Sequence, residues 1–512
     1  MKYRLIVRIQ RNEYWYGGYV ADGATMPFSR LGVKYINLKR SRSNSHSNKI
    51  LLSSKGRYIY SDGGFKAIKI GASMIIVSDT PIVFEFGYGS LKGSYIESMR
   101  KHFPFTDRAP DMSLLDRPQY STWMALGSKL TDDTLMEYVE SILKSGFGSG
   151  ELIIDDGWQN DYGDWTFDKN KFKDAKSTIA ELKKLGFKPV LWVVPFVSPD
   201  CRSFNYLRDK GALILDKKGN VAYRKWWNGR SAVLDMSSPA ATAWLKNTLD
   251  ELITEYGIDG FKFDAGDSFY YSPTDLVHVD GAVCDEQTRL YAEFAENYSI
   301  NELRVTTRNG GAPIIARLAD KSHMWNSVIG LRSLVPQVLA CGIIGLPFVC
   351  PDMIGGGQIL SSKSVDGYDK ELVLRWMETS VLMPYMQFSI PFWKSSDKAF
   401  VDDLKSILEK RKEFVDVLKE LYIHAATTGE PIVRYMEYEY PHCGLAEVND
   451  QFLLGADYII APVTDKKKTF RSVYLPVDTI WKSLLTDIEY YGGKPVEIKC
   501  EKEQLIIMKR IR

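Results

Sequence analysis

The feature that most constrains this chain is a repeat of apolar strand and amphipathic helix that runs from about Tyr120 to Ala425. Strands and helices that alternate in this way predict a parallel sheet with helices packed on its outside. Short apolar runs mark strands at 151–156, 188–196, 260–264, 303–307, 347–352 and 384–388, and two more strands are expected near 120–124 and just before Asp320. Eight such units over roughly 300 residues predict a (β/α)8 barrel.

The two ends of the chain follow a different pattern. Residues 1–112 form short alternating runs separated by turn residues, which predicts antiparallel strands and an N-terminal β-sandwich domain. The catalytic barrel is expected over 113–428, and short strands return over 429–512, where we expect a small C-terminal β-domain. The predicted fold class is therefore α/β, with a TIM barrel flanked by two β-domains.

Composition excludes several classes of protein. Lysine plus arginine (66) nearly balances aspartate plus glutamate (64), which argues against nucleic-acid binding, because phosphate contacts need a basic excess. No run of about 18 apolar residues occurs, so we expect no membrane association through a spanning helix. The first residues alternate polar and apolar side chains instead of forming the apolar block of a signal peptide, which predicts a cytoplasmic protein.

Cysteine and histidine give no sign of a metal centre. The six cysteines include no CxxC pair, and the six histidines are scattered along the chain. Reduced core thiols explain the cysteines better than a disulfide framework or a zinc site does. We therefore expect neither a metal nor another cofactor, and the sequence leaves the oligomeric state open, a homo-oligomer included.

Charged and aromatic side chains lie at the predicted carboxyl ends of the barrel strands, where barrels of this type have their active sites. They are Asp155, Asp156, Trp192, Lys262, Asp264, Arg304, Arg317, Asp320 and Asp352. Hydrolysis of a glycosidic bond needs one carboxylate at the anomeric carbon, one carboxylic acid to protonate the leaving oxygen, and polar groups that hold hydroxyls. Any one of these acids is explained as well by capping a loop or helix. The set as a whole favours a glycosidase.

Lys262 stands two residues before Asp264 on one predicted strand, so both side chains should point to the same side. We expect the Lys262 ammonium to hydrogen-bond the sugar and to help keep Asp264 ionised. The alternative is that Lys262 pairs with a neighbouring strand-end acid.

An ordered set of motifs resembles glycoside hydrolase family 31, in particular its branch associated with α-galactosidase activity. The motifs are DDGW (155–158), WW (226–227) followed by VLDMSSPAATAWL, GIDGFKFDAGD (257–267), PFVCPDMIGGG (347–357), ADYIIAPV (456–463) and VYLP (473–476). This resemblance covers most of the predicted barrel and extends into the C-terminal strands.

The resemblance implies a role for each matching residue. Asp264 falls on the family's nucleophile, which forms a covalent glycosyl-aspartate, and Asp320 falls on its general acid/base. Arg304 matches an arginine that supports the catalytic carboxylates. The substrate-binding positions that match are Asp155 and Asp156, which hold distal sugar hydroxyls, and Trp227, an aromatic beside the sugar.

One motif departs from the family pattern. The α-glucosidases of the family place the acid/base in W-x-G-D, whereas this chain has R-L-A-D, ending at Asp320. Asp352 and Asp267 therefore compete with Asp320 for the role of acid/base. Trp192, Trp227, Arg317 and Asp352 are further expected to contact the sugar.

The expected activity is that of a retaining α-glycoside hydrolase. The doubled acid after the second strand resembles the DDGW of other α-galactoside-cleaving enzymes, which favours an α-galactosidase acting on an oligosaccharide or glycoconjugate. An α-glucosidase or α-xylosidase of the same family is the alternative. A third hypothesis, of a different class, is a catalytically inactive barrel that binds carbohydrate.

Overall fold

Eight parallel strands form the centre of the protein, as seen in a computed structural model that describes residues 2–29, 31–42, 44–359 and 363–512. The barrel strands are β1 (Gln119–Ser121), β2 (Glu151–Ile154), β3 (Lys188–Val193), β4 (Gly260–Phe263), β5 (Asn301–Leu303), β6 (Ile315–Arg317), β7 (Val349–Cys350) and β8 (Gln387–Phe388). From β1 to β7 each strand pairs with the next, and β8 pairs with β1. A bridge between Met353 and Gln387 brings the two remaining edges together. The predicted barrel is confirmed.

Helices follow the strands on the outside of the barrel, at Asp132–Lys144, Ala175–Lys184, Phe204–Asp209, Pro239–Tyr256, Asp285–Ala295, Leu334–Ile343, Lys370–Ser380, Lys398–Glu413 and Val415–Thr428. Their ends are encoded locally. Pro239 begins the longest of them, because proline lacks the N–H that a first helical turn leaves unpaired, and Gly257 ends it with a φ of 78°.

The fifth strand–helix unit differs from the predicted pattern, because residues 304–314 contain no helix. The N-terminal region packs there instead. The backbone N–H of Ser47 donates to the carbonyl of Thr306 at 3.0 Å. A Cβ on Gly310 would lie 2.9 Å from the Asn48 side chain and 3.1 Å from Phe103, so this connection is held too close to the N-terminal region to leave room for a helix.

The N-terminal region consists of two four-stranded antiparallel sheets. One contains Tyr3–Arg8, Ser73–Ser78, Lys66–Ile70 and Val33–Asn37, and the other contains Trp15–Tyr19, Ser47–Ser53, Tyr58–Tyr60 and Val83–Glu85. In the first sheet buried and exposed residues alternate along the strands, whereas the second is buried on both faces. A helix, Leu91–His102, leads from the sheets to the barrel. The sheets and the barrel share one apolar core.

The C-terminal strands form a separate small β-domain, as predicted. A six-stranded sheet contains Val433–Arg434, Phe452–Leu454, Tyr458–Ile460, Ile507–Arg510, Ile480–Ser483 and Glu489–Tyr491, and a two-stranded sheet pairs Phe470–Tyr474 with Pro495–Lys499. One short helix, Met436–Glu439, lies between the first and second of these strands. Trp481 and Met508 lie in a second apolar core that belongs to this domain. None of the helices in the described part of the chain is long and apolar enough to cross a bilayer.

Two insertions rise from the carboxyl ends of the barrel strands and shape the site. After β2, Gln159–Asp161 pairs with Asp164–Phe167. After β3, Phe196–Val197, Arg224–Trp226 and Gly229–Val233 form a three-stranded sheet. Trp226 pairs with Gly229, so Trp227 and Asn228 form a two-residue hairpin turn that projects toward the mouth of the barrel.

Candidate active site

A cavity of about 490 Å³ opens at the carboxyl ends of the barrel strands. Nine predicted site residues meet there, and they are Asp155, Asp156, Trp192, Trp227, Lys262, Asp264, Arg304, Arg317 and Asp320. The tenth, Asp352, is not among the lining residues.

Asp264 follows β4 and lies at the centre of the cavity wall. Its carboxylate accepts three hydrogen bonds, from Arg304 Nε at 2.7 Å, from Trp192 Nε1 at 2.9 Å and from the Ala265 N–H at 2.8 Å. Burial by itself would raise the pKa of Asp264. The charges of Arg304, Lys262 and Arg317 outweigh burial and hold that pKa well below its usual range. Asp264 is therefore an ionised carboxylate at neutral pH.

Arg304 follows β5 and joins two carboxylates. Its Nη2 donates to Asp267 at 2.8 Å, while its Nε holds Asp264. Asp267 is fully buried and also accepts the N–H of Asn44 at 2.7 Å. On its other side the guanidinium lies 5.5 Å from the ring centre of Trp227, in a cation–π contact. Arg304 is thus fixed from both sides.

Lys262 and Asp155 form a buried ion pair at 2.7 Å. Ser121 Oγ also donates to Asp155, at 3.2 Å. Burial alone would lower the pKa of Lys262, but the charges of Asp155 and Asp264 raise it. Lys262 is therefore paired with a strand-end acid, which is the alternative given above from the sequence. Its charge still acts on Asp264.

Asp156 is held by residues of both insertions. Asn228 Nδ2 donates to it at 2.7 Å, Gln159 Nε2 at 2.8 Å and the Tyr162 hydroxyl at 3.2 Å. Burial raises the pKa of Asp156. The side chain is therefore oriented toward the cavity by partners that stand above the barrel strands.

Asp320 follows β6 and faces the cavity with 31% of its side chain exposed. Among the described residues its carboxylate accepts one hydrogen bond, from Arg317 Nη1 at 2.7 Å. Burial would raise the pKa of Asp320, whereas Arg317 and Arg304 hold it below its usual range. Asp320 is more accessible to a ligand than Asp155, Asp264 or Asp352.

Asp352 lies behind Arg317 and is not among the residues that line the cavity. It is fully buried and accepts Arg317 Nη1 at 2.8 Å and the N–H of Lys321 at 2.7 Å. Burial raises its pKa to about 6. Its carboxylate is turned away from the cavity because both of its oxygens are occupied by these donors.

Several lining residues were not expected from the sequence, and they are Asn44, Trp123, Asn228, Phe269, Tyr270, Met353 and Ile359. Asn44 comes from the polar stretch 41–48 of the N-terminal region, which contains no pattern that connects it to the barrel. Asn228 had a signal, because the Asn-Gly after the tryptophan pair is typical of a hairpin turn. Arg308, another cation near β5, pairs with Asp62 and Glu286 and lies outside the lining.

No metal site appears in the described ranges, where no group of three or more His, Cys, Asp or Glu side chains is arranged to hold an ion. The chemistry available at this cavity is that of paired carboxylates, cations and aromatic faces.

Comparison with known proteins identifies two regions. Residues 117–401 match the Glycosyl hydrolases family 31 TIM-barrel domain, and residues 429–510 match the Glycosyl hydrolase family 31 C-terminal domain. The myogenesis-regulating glycosidase of Mus musculus is 33% identical over 411 residues, which are 78% of this chain and 57% of that protein. Alpha-glucosidase 2 of Bacillus thermoamyloliquefaciens is 25% identical over 410 residues, covering 74% of this chain and 50% of that protein.

A solved structure has the same fold over the whole chain. It is a GH31 family sulfoquinovosidase from E. rectale in complex with an aza-sugar inhibitor, with a TM-score of 0.85 at 18% identity, covering 100% of this chain and 83% of that one. The chain spans about half the length of the curated relatives it matches.

Proposed function

Because the chain belongs to glycoside hydrolase family 31, we propose that it is a retaining α-glycosidase with Asp264 as nucleophile and Asp320 as general acid/base. The observation that carries this proposal is a single cavity whose lining includes Asp264 and Asp320, two carboxyls of unlike environment. Asp264 is kept ionised by three N–H donors, as a nucleophile must be. Asp320 is open to the cavity, as a group that gives and takes a proton must be.

The reaction then proceeds in two steps. Asp264 attacks the anomeric carbon while Asp320 gives its proton to the glycosidic oxygen, so the C–O bond breaks, the alcohol leaves and a glycosyl-aspartate forms. Water next attacks the same carbon and gives a proton to the Asp320 carboxylate, which releases the sugar and regenerates Asp264. Two inversions leave the α-configuration unchanged.

The charges around the cavity favour an uncharged sugar. Each described cation of the lining already faces a carboxylate, with Lys262 on Asp155, Arg304 on Asp264 and Asp267, and Arg317 on Asp320 and Asp352. A sulfonate or carboxylate on the substrate would therefore meet no uncommitted cation and would lie close to acids. We accordingly propose a neutral hexoside in place of a sulfonated one.

Among neutral sugars, the proposal is an α-galactoside. It is supported by the doubled acid Asp155–Asp156, which resembles the DDGW of α-galactoside-cleaving enzymes, and by the position of both acids in the cavity lining. The Asp155–Lys262 pair offers an acceptor and donors side by side, which suits a hydroxyl that both donates and accepts. The similarity to a bacterial α-glucosidase makes an α-glucoside or α-xyloside the second candidate.

The test is hydrolysis of four aryl α-glycosides: galactoside, glucoside, xyloside and sulfoquinovoside. We expect the highest kcat/KM on the galactoside and the lowest on the anionic sulfoquinovoside, with the α-anomer of the free sugar appearing first in a proton NMR time course. The Asp264→Asn variant is the matched control for contaminating activity.

Each failure has a distinct meaning. A β-anomer as first product would show an inverting enzyme and remove the covalent intermediate. A preference for the glucoside or xyloside would replace the sugar and keep the mechanism. Sugar binding without hydrolysis on all four substrates would show the carbohydrate-binding barrel instead.

A further inference from the structure

One nitrogen of Arg317 serves more acceptors than it has hydrogens. Its Nη1 lies 2.7 Å from an Asp320 oxygen, 2.8 Å from an Asp352 oxygen and 3.1 Å from the Leu318 carbonyl. An Nη atom carries two hydrogens, so these acceptors compete for them. The Nε of the same side chain stands 3.1 Å from Glu302. A single buried guanidinium thus faces three carboxyl groups.

Asp352 is held firmly in this competition. It follows β7 with a φ of 74°, a left-handed conformation that is uncommon for a residue other than glycine. That backbone turn places one carboxylate oxygen on Arg317 and the other on the N–H of Lys321, 2.7 Å away. The position is therefore specified by the fold and not by a ligand, because the side chain is fully buried.

From this geometry we propose that Asp352 is a positioning residue that takes up part of the Arg317 charge and so leaves Asp320 able to carry a proton. The inference rests on the proposed role of Asp320 as general acid/base. Asp352 touches no substrate in this scheme and acts only through the arginine.

The charges around Asp320 show why such a residue is needed. Cations face it from three elements: Arg317 from β6, Arg304 from the end of β5 and Lys262 from β4. Asp264 opposes them, and Lys321, the next residue along the chain, adds a further amine. This excess of cations would keep Asp320 ionised, and an ionised Asp320 cannot protonate a leaving group.

The pKa directions agree with this reading. Burial raises the pKa of Asp352 to about 6, whereas Arg317 and Arg304 outweigh burial and lower that of Asp320. Because both carboxyls accept from Arg317 Nη1, the ionisation of one changes the pKa of the other. A bound sugar covers the exposed side of Asp320 and raises its pKa.

The test uses two variants with opposite expected signs. Asp352→Asn removes the negative charge that competes for Arg317, so the alkaline limb of the kcat/KM profile should move down by about one pH unit. Arg317→Gln removes the cation, so the same limb should move up by about one pH unit. The double variant should lie between them. If Asp352 and Arg317 had only a structural role, both variants would lose activity and would not move the alkaline limb in opposite directions.

Asp267→Asn is the matched control, because Asp267 is a buried aspartate behind the other arginine, Arg304. Because Arg317 hydrogen-bonds Asp320 and lowers its pKa more than Arg304 does, Asp267→Asn should move the alkaline limb by less than Asp352→Asn does. Arg317→Lys keeps the charge and should restore much of the wild-type profile if Arg317→Gln folds poorly.

Binding of a cationic iminosugar at several pH values, measured by calorimetry, reads the ionisation of Asp320 without turnover. If the wild type binds the iminosugar but hydrolyses no glycoside, the proposed function fails while the pH dependence of binding still tests this inference. If the wild type is active, and the two single variants leave the limb unmoved or move it in one direction, the inference about Asp352 is wrong and the function stands.

Discussion

The two halves of the cavity contain the same kinds of side chain but connect them by different hydrogen bonds. In each, a carboxyl at a strand end faces an arginine that also holds a second, buried aspartate. Arg304 uses two nitrogens, Nε for Asp264 and Nη2 for Asp267. Arg317 offers one nitrogen to both Asp320 and Asp352.

The surroundings of the two carboxyls differ in the same sense. Asp264 receives further N–H groups from Trp192 and Ala265, so its negative charge is stabilised from several directions. Among the described residues the Asp320 carboxylate accepts a hydrogen bond from Arg317 alone, and its other side faces the open cavity. In the proposed roles, the same arrangement of an arginine and two aspartates gives two carboxyls that behave differently. Several separate donors keep Asp264 ionised, whereas a donor shared with Asp352 leaves Asp320 able to bind a proton.

The largest effect is expected when the negative charge of Asp264 is removed. Asp264→Asn should lower kcat by on the order of 10³-fold or more on an aryl α-glycoside, because the covalent step is lost while the binding groups remain. Iminosugar affinity and the thermal midpoint serve as controls for folding. Near-normal turnover would show that Asp264 is not the nucleophile, and the two halves would have to be reassigned.

Removing the other carboxyl should give a loss that depends on the leaving group. Asp320→Ala should lower hydrolysis of a natural disaccharide by about 10²-fold or more, because its alkoxide needs a proton. An aryl glycoside with a very acidic phenol should form the intermediate at nearly the wild-type rate, and added azide should speed its breakdown. If Asp352→Ala shows this pattern and Asp320→Ala does not, the acid/base is Asp352.

Arg304 should control the acid limb of the pH profile of kcat/KM. The pKa of Asp264 is depressed, so this carboxylate, the proposed nucleophile, stays ionised at pH values at which an ordinary aspartate is protonated. Arg304→Gln removes the cation, raises that pKa and should move the acid limb of kcat/KM up by about one pH unit. Arg304→Lys should restore part of the shift. If the acid limb does not move and the variant remains folded, the proposed contrast between Arg304 and Arg317 is wrong.

The smallest effect is expected for Trp227, an exposed tryptophan of the cavity lining. Trp227 is 47% exposed and packs on Arg304, so Trp227→Ala should weaken substrate binding by about threefold to tenfold. The thermal midpoint should move little. Trp226→Ala is the contrasting variant, because that neighbour is buried against Phe196 and its loss should lower the midpoint. A similar loss of stability in both variants would make Trp227 a core residue.

The sequence was sufficient for the barrel and for most of the cavity lining, because apolar periodicity and strand-end residues are local signals. Lys262 and Asp264 illustrate this, since one strand places both. The partner of Lys262 could not be chosen from the sequence. Asp155 lies 107 positions away, and which acid it meets depends on how the strands are ordered around the barrel.

Asp352 shows a second kind of limit. Its strand end was located correctly, but its φ of 74° turns the carboxylate toward Arg317 and Lys321 instead of toward the cavity. Asp352 lies two residues beyond the end of β7, where strand periodicity no longer holds, so the loop sets the direction of its side chain. Asn44 is the extreme case, because its contact with the site depends on the docking of another region of the chain.

That docking has a consequence for how the protein folds. Asn44 meets Asp267 across 223 positions, and His46 meets the carbonyl of Arg317 across 271. Contacts between such distant segments form slowly, because a long stretch of chain must be ordered before they bring any gain. During synthesis the N-terminal stretch leaves the ribosome long before its partners exist. The wall of the cavity is therefore completed late, and a refolding chain regains its helices before it regains a site that can hold a sugar.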